Sequence, residues 1–131
     1  MLDDFDFENA WILSGHLTTP HIDRIVTALH ARFPVAPHDP ERECRLTVDA
    51  QTHTLSVFLR HDGVIGSLDR DLLQLAPEAQ GVLRFESPYT ELQEALFPQD
   101  WRFDGAGHLA IFGYHLAPDV TAQATYNATV R

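Results

Sequence analysis

Eight histidines are the side chains of this chain best suited to acid–base or metal chemistry near neutral pH. No two of them lie two or four residues apart, and none belongs to a His-Glu-x-x-His sequence, so the usual metal-ligand spacings are missing. A turn between a strand and a helix would bring His16 and His21 near Asp23, but proximity alone does not define a set of ligands. The sequence therefore predicts no metal site and implies no cofactor.

Nucleophilic and acid–base groups also lack the partners that catalysis requires. Cys44 is the single cysteine, and its neighbour Glu43 cannot activate a thiol as a cationic group would. The most complete acid–base cluster is His108 with Asp104 and Tyr114 around a predicted hairpin. Turns commonly contain aspartate and glycine for reasons of backbone geometry alone, and the turn before His108 has both, in Asp104-Gly105-Ala106-Gly107. We therefore predict no catalytic residue, and a small histidine-dependent enzyme or ligand-binding protein is the least favoured of three functional hypotheses.

The dominant property of the chain is its acidity. Nineteen Asp and Glu residues against nine Arg and no Lys leave a formal net charge of −10 on 131 residues. Such a surface repels nucleic acid and anionic lipid and attracts basic proteins. The arginines are scattered along the sequence, and the nearest approach to a patch, Arg42 and Arg45, is neutralised by Glu41 and Glu43. Direct binding of nucleic acid is therefore not expected.

Length and composition favour one domain that spans residues 1–131. A chain of this length with 44% apolar residues can bury a substantial core. No apolar run approaches the roughly 18 residues of a membrane helix, and the acidic start differs from the basic start of a signal peptide. A single cysteine cannot form an internal disulfide, and the use of Arg in place of Lys is typical of GC-rich bacterial genomes. These features predict a cytoplasmic bacterial protein without a membrane partner.

Residues 1–9 form an acidic segment in which Asp4, Asp6 and Glu8 alternate with Phe5 and Phe7. In an extended conformation the carboxylates and the rings would line opposite sides. Such a segment could be a docking edge for a cationic protein, or an edge strand whose rings pack on the core while its acids keep it soluble. The candidate partner contacts, which combine acids with aromatic anchors, are Asp3, Asp4, Phe5, Asp6, Glu8, Asp69, Asp71, Tyr89, Glu91, Glu94 and Trp101.

Three helices are predicted from apolar residues at helical spacing. The first is the clearest, because Ile22, Ile25 and Leu29 share one face after a cap at Thr18 or Thr19, with one proline at its first position and another at its end. The second and third are expected over residues 68–76 and 88–97.

Alternating apolar and polar residues predict seven strands. They are expected over residues 10–16, 45–49, 54–60, 82–86, 101–103, 108–116 and 121–130. Phe58 falls on the solvated side of the first hairpin, and the last strand has the most regular alternation of the chain. The order β-α-β-β-α-β-α-β-β-β predicts an α+β domain with a mostly antiparallel sheet and about three helices packed on one face.

The function we expect first is that of a protein-binding inhibitor, a small acidic domain that covers a basic partner such as a toxin or an enzyme acting on nucleic acid. In size and acidity the chain is similar to bacterial immunity proteins, although no sequence motif carries that likeness. The second hypothesis is a structural or adaptor subunit that assembles with copies of itself or another protein through its C-terminal strand.

Overall fold

The computed structural model describes residues 10–87, 98–117 and 120–129. The elements in these residues are β1 (Trp11–Thr18), α1 (Ile22–Arg32), β2 (Glu43–Asp49), β3 (Thr54–His61), α2 (Leu68–Leu75), β4 (Gln80–Glu86), β5 (Gln99–Asp104), β6 (His108–Ala117) and β7 (Val120–Thr129). The α+β class and the antiparallel sheet are confirmed. The described residues hold two helices where about three are expected, and the predicted third helix over 88–97 lies outside them.

All seven strands join one antiparallel sheet in the order β2-β3-β1-β4-β5-β6-β7. The first six elements follow the β-α-β-β-α-β connectivity of ferredoxin-like units, and the last three strands extend the sheet as a meander beyond β4. β1 is a central strand, because it pairs with β3 on one side and β4 on the other over nearly its whole length. This connectivity describes architecture and leaves function open.

The core lies on one side of the sheet. Along β3 every second side chain, Leu55, Val57 and Leu59, is buried, and the residues between them face the other side. The two helices pack their apolar stripes on the same side. Together they form one cluster whose fully buried members include Leu13, Leu17, Ile25, Leu29, Phe33, Leu55, Leu59, Leu68, Leu72, Leu73, Leu83 and Leu109. The opposite face, which no helix among the described residues covers, is called the open face of the sheet below.

Neither of the two described helices begins with a side-chain cap, although the sequence suggests Thr18 or Thr19 for the first. α1 starts two residues after Pro20, and the Thr19 hydroxyl accepts a hydrogen bond from the His21 amide at 3.0 Å in the turn before it. Thr18 is the last residue of β1. Ser67 precedes α2, and its side chain makes no capping hydrogen bond. Of the two helices in the described residues, neither is long and apolar enough to cross a lipid bilayer.

Gly15 and Gly81 allow β1 and β4 to approach each other closely at the centre of the sheet. Their φ angles are +145° and +141°, values that side-chain-bearing residues rarely adopt. A Cβ atom on Gly15 would overlap the carbonyl oxygen of Val82, and one on Gly81 would overlap that of His16. Both obstacles are backbone atoms of the neighbouring strand, so they cannot move aside without disturbing the pairing of these two strands.

Gly15→Ala should therefore destabilise the protein by about 3 kcal/mol or more, because it adds a backbone clash to an unfavourable φ. Gly66→Ala is the matched control, since Gly66 also has a positive φ, +59°, but open space around its Cα. The control should lose only about 1 kcal/mol. Chemical denaturation of both variants measures the difference, and equal losses would contradict the close-approach explanation.

Candidate binding surface

The predicted contact residues divide into two groups. Those in residues 1–9 and 88–97, which lie outside the described residues, are Asp3, Asp4, Phe5, Asp6, Glu8, Tyr89, Glu91 and Glu94. The described ones are Asp69, Asp71 and Trp101. Asp69 and Asp71 lie in the first turn of α2, where a helix N-terminus favours negative charge. Asp71 also accepts a hydrogen bond from Arg32 of α1, so it ties the two helices together.

Trp101 lies in the core of the protein and not at its surface. Its side chain is 3% exposed, and its ring centroid lies 5.4 Å from that of Phe85. The indole N–H donates to Oε1 of Gln99 at 3.2 Å. The alternation of β5 places this residue on the side that the helices cover, with Phe103 two residues further on. Trp101 therefore acts as a core aromatic residue in this chain.

The histidine cluster considered for catalysis is a turn. Nδ1 of His108 lies 2.8 Å from Oδ2 of Asp104, and Oδ1 of the same carboxylate accepts the amide hydrogens of Ala106 and His108. These hydrogen bonds, led by that of the Ala106 amide, lower the pKa of Asp104. Tyr114 lies six residues further along β6, roughly 20 Å away. The carboxylate thus organises the hairpin loop, and the three residues do not form one site.

His16 and His21 are not brought together. His16 is exposed on the open face of β1, whereas Nε2 of His21 lies 3.3 Å from Oε2 of Glu78 on the helix side. Within the part of the chain that the structure describes, no three His, Cys, Asp or Glu side chains are grouped so that they could hold a metal ion.

His61 is a structural residue that sequence reasoning does not single out. It is 8% exposed, and its ring packs against Trp11 and Phe33. Nδ1 accepts the Gly63 amide hydrogen at 2.9 Å, so Nε2 carries the proton and donates to the Pro34 carbonyl at 3.1 Å. The Trp11 indole donates to the Gly63 carbonyl at 2.6 Å. The register of β1 against β3 places Trp11 beside His61, and the end of α1 brings Phe33 and Pro34 to the same ring.

Cys44 is a half-buried residue of the edge strand β2. Its sulfur lies 3.9 Å from Nδ1 of His30. Burial raises the pKa of the Cys44 thiol, which disfavours the thiolate that a nucleophile needs. The structure therefore gives this thiol a packing role at the rim of the core.

Most described arginines are engaged inside the chain. Asp39 and Asp62 both accept hydrogen bonds from Arg42, at 2.8 and 3.0 Å. Arg84 donates to Asp100 at 3.0 Å. The remaining contacts join Arg24 to the Leu75 carbonyl, Arg32 to Asp71, Arg45 to Glu43 and Arg60 to the Glu41 and Pro40 carbonyls. These arginines therefore stabilise loops and helix pairs. Four of them, Arg32, Arg42, Arg45 and Arg84, pair with carboxylates, whereas Arg24 and Arg60 bind backbone carbonyls.

The acid surplus is concentrated outside the described residues. Residues 10–87, 98–117 and 120–129 contain twelve Asp and Glu and eight Arg, a formal charge of −4. The remaining positions contain seven acids and one arginine, a formal charge of −6. More than half of the net charge thus lies in short stretches that include 1–9 and 88–97.

The open face of the sheet groups cationic residues that are far apart in the sequence. One row of register-paired residues on it comprises Arg45, Phe58, Ser14, Arg84, Asp100 and Phe112. The guanidinium of Arg45 lies 5.0 Å from the ring centroid of Phe58, and that of Arg102 lies 4.2 Å from that of Phe112. Such stacking holds the cations on the face while their side chains stay partly hydrated.

The comparisons with known proteins identify no relative. No protein-family model, curated protein sequence or solved structure matches this chain. The functional argument therefore depends on the geometry and charge described above.

The Asp39–Arg42 pair predicts an acid-sensitive loop. Hydrogen bonds from the Arg42 amide and guanidinium lower the pKa of Asp39 from 3.8 to about 2. Since the folded state holds this group ionised, its contribution to stability is complete above pH 3.8 and is lost as the pH falls towards 2.

Asp39→Asn should accordingly lower the melting temperature at pH 7, and the gap from the unmodified protein should close as the pH falls to about 2. Glu86→Gln, which removes an exposed carboxylate at the end of β4, controls for the change in net charge. Thermal unfolding followed by circular dichroism at several pH values gives the comparison. A gap that is constant from pH 7 to 2 would refute this role of Asp39.

Proposed function

We propose that this chain is an acidic protein-binding module that inhibits a basic partner by covering its surface, as a bacterial immunity protein neutralises a toxin. The observation that supports this is the division of charge. The described arginines are largely used in internal contacts, while residues 1–9 and 88–97 contain six acids and no arginine. A cationic partner would supply the missing counter-charge.

Electrostatic attraction suits an inhibitor because it accelerates the encounter. Complementary charge can raise association rates well above the neutral range of about 10⁵–10⁶ M⁻¹s⁻¹. The attraction acts over a Debye length of about 8 Å at physiological salt, so it requires clustered charge close to the contact. The acidic segment at 1–9 has that clustering, with four carboxylates in six positions.

In this proposal the contact surface combines the acids with aromatic anchors. The proposed contacts are Asp3, Asp4, Phe5, Asp6, Glu8, Asp69, Tyr89, Glu91 and Glu94. Asp71 contributes less because its carboxylate is bound to Arg32, and Trp101 is omitted because it lies in the core.

The proposal predicts salt-sensitive capture of a basic protein. The tagged chain, purified from the cells that make it naturally, should retain a basic protein at low salt and release it at high salt. The triple variant Asp4→Asn, Asp6→Asn, Glu8→Gln should reduce retention by roughly tenfold. The control is a second triple variant that removes the same charge from exposed described positions, Asp23→Asn, Glu78→Gln, Glu86→Gln. The amount of partner that it retains should lie within about twofold of that retained by the unmodified chain. If the amount of retained partner is the same at low and high salt, and the same for the first triple variant as for the unmodified chain, the proposal is refuted.

A second candidate function, that of a structural or adaptor subunit, is favoured by the position of β7. This strand forms ten consecutive pairs with β6 at one end of the sheet, and none of the described strands pairs with its outer edge. An edge strand of this length can accept a strand from another chain.

If β7 assembles copies of the chain, the molecular mass in sedimentation equilibrium should rise with concentration. Removal of residues 119–131 should abolish that rise while circular dichroism still reports the fold of the preceding elements. A monomeric mass across the whole concentration range would exclude self-assembly through β7.

A further inference from the structure

The strand β2 forms the edge of the sheet opposite β7, and it lacks the features that usually prevent strand addition. All seven residues from Glu43 to Asp49 pair with β3 in unbroken register, so the strand contains no bulge. It contains no proline, and no described strand pairs with its outer side. Native edges are commonly blocked by bulges, prolines or inward-pointing charges. In the part of the chain that the structure describes, no such feature blocks β2.

The hydrogen bonds of the neighbouring strands determine which backbone groups of β2 point outward. The Thr19 amide donates to the His53 carbonyl at 2.9 Å, one pair beyond Thr18 and Thr54 in the register of β1 against β3. The odd-numbered residues of β3 therefore direct their N–H and C=O groups towards β1, and the even-numbered residues direct theirs towards β2. Each even-numbered residue of β3 faces an odd-numbered residue of β2. The β2 residues whose N–H and C=O groups point outward are consequently Cys44, Leu46 and Val48.

The same three residues form the apolar row of β2, which is incompletely covered. Their neighbours on β3 are buried, but Leu46 is only partly buried and Val48 is 50% exposed. A strand added beside β2 would continue the same face and bury this row. It would thus gain main-chain hydrogen bonds and bury apolar surface at the same positions.

The charges of β2 restrict how a second copy of the strand can pair with it. In a symmetric antiparallel pair one residue faces its own copy, and the residues on either side of it face each other in order. A centre at Leu46 sets Glu43 of each copy opposite Asp49 of the other, and a centre at Arg45 sets two arginines opposite each other. Like charges directly opposite destabilise a pair. A centre nearer either end of the strand pairs three residues of β2 at most, with the exception of Thr47.

A centre at Thr47 avoids both problems. Each Leu46 then faces Val48 of the other copy, so the exposed apolar side chains cover each other. Each Arg45 faces Asp49 of the other copy, and opposite charges directly across two strands stabilise their pairing. These charged pairs are non-hydrogen-bonded pairs, in which side chains lie closest. The strand is thus complementary to itself in its apolar row, its polar row and its outward backbone groups.

The internal contacts of Arg45 and Asp49 leave both groups able to make this pair. Arg45 lies 3.4 Å from the Glu43 carboxylate, but its side chain is still 63% exposed, and a guanidinium has five N–H donors. Asp49 uses Oδ1 to accept the amide hydrogens of Gln51 and Thr52 in the following turn. Its second carboxylate oxygen has lone pairs of its own. The pairing therefore adds to these contacts and does not replace them.

We propose that the β2 edge joins two copies of this chain in a symmetric antiparallel pair centred on Thr47, which makes one continuous sheet from two molecules. The inference goes beyond the proposed function, and it does not depend on a basic partner. It also differs from assembly through β7, because it uses the opposite edge of the sheet. The two β7 strands then lie at the two ends of the joined sheet.

Single cysteines test the centre of the pair. In a Cys44→Ser background, Thr47→Cys places the two thiols in one cross-strand pair with Cα atoms about 4.5 Å apart, a distance that a disulfide can span. Ser56→Cys is the matched control, since Ser56 faces Thr47 from β3 and its two copies would lie about 14 Å apart. Under mild oxidation, Thr47→Cys should form a disulfide-linked dimer roughly tenfold faster than Ser56→Cys or more. Non-reducing electrophoresis over time measures both rates.

A charge placed on the edge tests the contact itself. Val48→Lys adds an inward-pointing charge to β2 and should raise the dissociation constant of the dimer by roughly tenfold or more. Val64→Lys, which adds the same charge at a 90% exposed loop position, should leave this constant within about twofold. Sedimentation equilibrium gives both constants at physiological salt, where exposed charges more than about 8 Å apart are largely screened. Circular dichroism checks that both variants are folded.

Four outcomes overturn the proposal. The first is a monomeric mass over the whole concentration range, and the second is an equal dissociation constant for Val48→Lys and Val64→Lys. Assembly through β7 would give the second result, because β7 does not involve Val48. The third is a disulfide that forms no faster with Thr47→Cys than with Ser56→Cys. The fourth is faster cross-linking with Leu46→Cys than with Thr47→Cys, which would place the centre of the pair at Leu46.

Discussion

The structure depends on the burial of one face of the sheet under two helices. Leu13 and Leu17 of the central strand β1 are fully buried, and their neighbours on β3 and β4 extend the same apolar surface. Gly15 and Gly81 permit the close approach of β1 and β4 on which this continuous face relies. Both described helices pack on this face, so among the described residues no helix covers the opposite face and no strand pairs with the outer sides of β2 and β7. These are the parts of the fold on which recognition can act.

The described part of the chain uses most of its arginines in internal contacts and carries −4 of the formal charge of −10. Its arginines hold specific positions, such as Arg42 between Asp39 and Asp62 and Arg84 beside Asp100. The acid surplus lies mainly in short stretches outside it. A chain whose arginines are used internally and whose surplus acids lie in other parts of the sequence can attract a cationic surface without weakening its own ion pairs, which is the property that the proposed inhibitor requires.

The sequence predicts the strands well because a period of two is a local property. Every strand of the sheet falls within a few residues of an alternating segment, and the buried stripe of α1 follows from its helical spacing.

The surroundings of individual side chains depend on register, which is not local. Trp101 is a surface candidate in the sequence and a core residue in the sheet, and His61 contacts Trp11 because β3 aligns with β1. Arg45, Arg84 and Arg102 lie on one face for the same reason, although the sequence separates them widely. The start of α1 shifts because Thr19 bonds within the preceding turn.

The central claim is that opposite charge drives recognition of a basic protein. The most direct measurement is the dissociation constant of the purified complex over a series of salt concentrations. The account predicts that the logarithm of this constant rises steeply and linearly with the logarithm of the salt concentration, with the change mostly in the association rate. A slope near zero would contradict it, since the partner would then be held by contacts in which the net charge of −10 plays no part.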